Sequence, residues 1–103
     1  AVTVEVTTLH GADPVIVETE GPLVDAALDA MEDIWGARPV RIREGGSIPI
    51  VSTFAAELKC PVLLLGFGLH DDGLHSPNEK FNISHFYNGI RSMARLLDRV
   101  GEV

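Results

Sequence analysis

Between Gly68 and Lys80 the chain reads Gly-Leu-His-Asp-Asp-Gly-Leu-His-Ser-Pro-Asn-Glu-Lys, two histidines and three carboxylates in thirteen residues. A histidine among carboxylates can serve as a metal ligand, a general base or a plain surface residue. His70 and His75 are separated by Asp71, Asp72, Gly73 and Leu74, which is not the spacing of ligands on one helix face. It matches no closed structural zinc site either, and the chain has one cysteine only. A metal site that uses His75 therefore draws its other ligands from elsewhere. Asp-Asp-Gly is ordinary turn chemistry, and Asp71 and Asp72 read as structural. A second stretch, Arg43-Glu44-Gly45-Gly46-Ser47-Ile48-Pro49, combines glycines that admit close backbone approach with a serine suited to capping a helix. Such a turn can cradle an anion or a carbonyl, or it can merely start a helix. No Gly-Lys-Ser/Thr follows, so it is not a Walker loop.

The elements that must position these loops can be read from periodicity. Val2, Val4 and Val6 alternate with Thr3, Glu5 and Thr7, the period of a strand with one wet face. Val15-Ile16-Val17 and Pro39 to Arg43 read as further short strands. Pro61 to Leu65 is apolar throughout and predicts a strand buried on both faces. Three helices are expected between them. The first opens at Pro22 and ends at Gly36, with Leu23, Ala27, Leu28, Met31, Ile34 and Trp35 inward. The second runs from about Ile48 or Pro49 to Leu58, with Val51, Phe54, Ala55 and Leu58 inward. The third follows a cap at Asn82, with Ile83, Phe86, Ile90, Met93, Leu97 and Val100 as its stripe. Alternating strands and helices predict an α/β fold, a mostly parallel sheet with helices packed on it. Ligands in such sheets bind beyond the carboxyl ends of strands, so both polar loops are expected on one sheet edge.

Composition limits the range of functions. The chain has 103 residues, 46% of them hydrophobic, enough for one small domain with a modest core. A formal charge of -7 argues against a nucleic-acid partner, because phosphates would go unneutralised. The longest apolar run, Pro61 to Gly68, is too short to span a membrane. Cys60, flanked by Leu58 and Val62, reads as a small buried hydrophobe, and a single cysteine agrees with a reducing cytoplasm. The strand pattern at Ala1 to Thr7 starts without a cap or polar leader, which predicts a portion of a longer polypeptide.

His75-Ser76-Pro77-Asn78-Glu79-Lys80, following an apolar run and an Asp-Asp-Gly turn, resembles the zinc-dependent dipeptidase, carboxypeptidase and aminoacylase family. Arg43-Glu44-Gly45-Gly46-Ser47-Ile48-Pro49 and Phe86-Tyr87-Asn88-Gly89-Ile90-Arg91 are similar to the dipeptidase branch of the same co-catalytic metallopeptidases. The resemblance spans residues 1–103 as the C-terminal portion of the catalytic domain, with residues 1–10 a strand returning from an absent lid domain. It implies that His75 binds one of two zinc ions beside the substrate, a role that manganese or cobalt would also suit. It implies that Ser47, with Gly45 and Gly46, contacts the substrate. Arg43 would meet a substrate carboxylate or form a structural ion pair. Asn78 and Glu79 would hold the loop or support the ligand from behind, with Glu79 alternatively a surface acid near the helix start.

The implied activity is hydrolysis of a dipeptide or N-acyl amino acid by the intact enzyme. The family's earlier histidine, bridging aspartate, catalytic glutamate with its neighbouring ligand and further acidic ligand have no matching segment here, and the chain contains no Glu-Glu pair. The missing N-terminal half of the catalytic domain is therefore an expected partner, the chain alone is expected to be inactive, and a homodimer would be one way to cover its exposed apolar surface. The alternative is a non-catalytic α/β module that reuses the scaffold for binding or assembly.

Overall fold

The computed structural model describes residues 2–44 and 48–102. It contains three helices: α1 (Pro22–Trp35), α2 (Ile50–Leu58) and α3 (Ile83–Val100). Pro22 sits in the first turn of α1, where its missing N–H leaves no bond unmade. Gly36 closes that helix with φ 72°, its N–H donating to Glu32 O at 2.9 Å. α3 follows Asn82 at the N-cap position, but the Asn82 side chain makes no capping hydrogen bond. Pro49 takes the N-cap position of α2, and Ser47, expected as a cap, lies outside the described residues.

The expected α/β fold is corrected by the structure: among the described residues there is no strand and no sheet. A strand satisfies its N–H and C=O groups only through a neighbour's ladder. No described segment offers one. Val2, Val4 and Val6 are 91%, 76% and 86% exposed, so the alternation at the N-terminal end has no layer to pack on. Ile16, Val40 and Ile42 are exposed in the same way. Pro61 to Leu65 is covered on one side only: Leu63 and Leu65 pack on the core, while Leu64 faces outward.

α1 and α3 pack together, and their contact selects small residues rather than the expected stripes. Ala26, Ala27 and Ala30 of α1 are buried with Leu96 of α3, alongside Leu63 and Leu65. Gly89 and Ser92 of α3 are buried on that same side of the helix. Small side chains let the two backbones approach, and the larger stripe of α3, from Ile83 through Leu97, is left exposed. In α1, Ala27 and Met31 are buried as expected, and Val24, Ala26 and Ala30 join them. In α2 only Val51 is buried; Phe54 and Leu58 are exposed. Cys60 is exposed too, contrary to the buried reading, because Pro61 to Leu65 has no second layer.

An aromatic knot ties the 61–68 segment to both helices. Trp35 stacks on Phe67 at 6.0 Å between ring centroids and meets the edge of His85 at 4.9 Å. Trp35 Nε1–H donates to Ser92 Oγ at 2.9 Å, and Ser92 is fully buried. A Cβ on Gly89 would lie 3.2 Å from the Phe67 ring, so glycine here makes room for the aromatic. His85 Nδ1 lies 3.1 Å from the Phe67 carbonyl. That oxygen only accepts, so the bond requires the Nδ1–H tautomer. Beyond the knot, Asp33 receives Arg95 at 3.0 Å and Arg99 at 2.7 Å, pairing the outer surfaces of α1 and α3.

Candidate metal-ligand loop

Gly68 to Lys80 leaves the aromatic knot at Phe67 and returns two residues before Asn82. Three β-turns build it. In the first, Asp72 N–H donates to Leu69 O at 3.1 Å, and the Asp72 carboxylate accepts the Leu69 N–H at 2.7 Å. In the second, Ser76 N–H donates to Gly73 O at 2.9 Å. His75 stands third in that turn with φ 60°, the sign that type II geometry requires. In the third, Glu79 N–H donates to Ser76 O at 3.3 Å. Pro77 and Asn78 fill its central positions, and Asn78 has φ 62°. Proline presets the second position of such a turn, and asparagine tolerates the left-handed third. At Gly73 the backbone also turns left-handed, and a Cβ would stand 2.8 Å from Ser76 Oγ.

A closure joins the two ends of the second and third turns. Lys80 N–H donates to Asp72 O at 2.9 Å, and Lys80 Nζ pairs with Asp72 Oδ1 at 2.9 Å and Asp71 Oδ2 at 3.1 Å. Asp72 is buried, 6% exposed, and both of its oxygens are bonded. The Leu69 N–H first and the Lys80 ammonium second hold its carboxyl below the ordinary carboxylate value, against the opposing effect of burial. The Asp72 carboxylate, then that of Asp71, pushes the Lys80 ammonium upward.

His75 is exposed on this loop. A neutral imidazole so presented offers one directional metal donor. Among the described residues no group of three or more His, Cys, Asp or Glu side chains could hold a metal ion. His75 thus offers one donor, and no complete ligand set for a divalent ion forms among the described residues. Asn78 is exposed and holds the loop by its backbone conformation. Glu79 is exposed and contributes its N–H. Arg43 is exposed and forms no ion pair with another described residue, whereas nearby Arg41 reaches the Thr19 carbonyl at 2.5 Å. Gly45, Gly46 and Ser47 lie outside the described residues.

Asp72 and Lys80 were absent from the site as read from sequence. The available signal was two opposite charges flanking a run of turn formers, Gly73, Ser76, Pro77 and Asn78. Turn chemistry accounts for the bond of Asp72 to the Leu69 N–H but not for its bond to Lys80.

The chain belongs to Peptidase family M20/M25/M40, which it matches over residues 2–99. Among individual relatives, it is 47% identical over 77 residues to the Cys-Gly metallodipeptidase DUG1 of Candida albicans, covering 75% of this chain and 16% of that one. It is 34% identical over 84 residues to human Beta-Ala-His dipeptidase, covering 82% of this chain and 17% of that one. A solved structure of the di-peptidase Dug1p from Saccharomyces cerevisiae matches with a TM-score of 0.80 and 42% identity, over 85% of this chain and 18% of that one. The chain thus spans about one sixth of the length of these relatives. No helix among the described residues is long and apolar enough to cross a membrane.

Proposed function

We propose that this chain is a working part of a metal-dependent dipeptidase, which hydrolyses the amide bond of a dipeptide or N-acyl amino acid. The observation that carries the reading is His75, an exposed imidazole at a left-handed turn position. It stands in a chain 47% identical to a Cys-Gly metallodipeptidase. His75 would hold one of two zinc ions and border the substrate; manganese or cobalt suits the same donor. The metal, when bound, supplies a polarised carbonyl and an acidified water. Ser47 with the Gly45 and Gly46 backbone would contact the substrate, Arg43 would face its carboxylate, and Asn78 and Glu79 would keep the ligand loop in shape. The exposed Cys60 thiol agrees with a reducing, cytoplasmic setting.

The second reading, a non-catalytic binding or assembly module, draws support from the incomplete ligand set among the described residues. Turnover separates the two. The complete polypeptide containing this segment should cleave a dipeptide in a chelator-sensitive manner, and the 103-residue chain alone should not. A complete polypeptide that takes up no metal and cleaves no dipeptide leaves the module reading standing.

A further inference from the structure

We draw no further inference here: the strongest candidate, the apolar face of α3 formed by Ile83, Phe86, Ile90, Met93 and Leu97, stands exposed, and nothing in the structure shows what covers it.

Discussion

His75 and Asp72 divide the labour of the loop between exposure and burial. The imidazole is accessible, while the carboxylate three residues earlier is buried and doubly bonded. Because the Asp72 carboxyl is held below its ordinary value, its contribution to stability is fully present above the unfolded value of about 3.9 and is lost as pH falls through the lower folded value. In an NMR titration the Leu69 amide should keep its bonded shift from neutrality to about pH 4 and lose it only below that. Loss of the shift near about pH 6 would mean that the Asp72 carboxylate is not its acceptor. Asn78 gives a second check. Its left-handed φ makes Asn78→Gly close to neutral, whereas Asn78→Val should destabilise by about 1–2 kcal/mol, read from denaturant midpoints. Of this site, His75 and the turn formers were legible in the sequence, because turn chemistry is local. The Lys80 bond was not, since a pairing across an arch depends on how three turns add up.

At the scale of elements, all three helices were legible, α1 with both its ends and α3 with its start. Pro22 and Gly36 mark α1 by backbone rules that need no tertiary context. The buried faces were less legible. The sequence pattern favours the large apolar stripe of α3, but the neighbour is an alanine face of α1, and Gly89 and Ser92 let it come close. Ser92 is the sharpest test of that contact. Ser92→Ala leaves the Trp35 Nε1–H without its acceptor and should cost about 1–3 kcal/mol. Ser92→Leu adds volume at a fully buried position and should cost about 1–3 kcal/mol through overpacking. Urea unfolding of both variants measures this; two parent-like midpoints would mean that α1 and α3 do not pack through Ser92. The strands failed for a different reason. Alternation at Val2, Val4 and Val6 reports a demand for a covering layer, and sequence alone does not report whether a neighbouring segment meets it.

The whole molecule carries the mark of those unmet demands. Its radius of gyration is 17.1 Å, against about 13 Å for a compact domain of this length. Val2, Val4, Ile16, Val40 and the α3 stripe leave apolar surface open to water. The 103-residue chain in isolation should therefore bind an apolar-surface dye and self-associate with concentration, read by fluorescence and sedimentation. A monodisperse monomer without dye binding would contradict the exposed faces. Among the described residues no group of three or more His, Cys, Asp or Glu side chains could hold a metal ion, so the proposed function asks His75 to act with donors beyond them. The account stands or falls on that imidazole. In the complete polypeptide, metal content and dipeptide hydrolysis should be measured for His75→Ala beside the parent. The account predicts one metal ion fewer per chain and loss of most of the hydrolysis, and an unchanged metal content with an unchanged rate would contradict it.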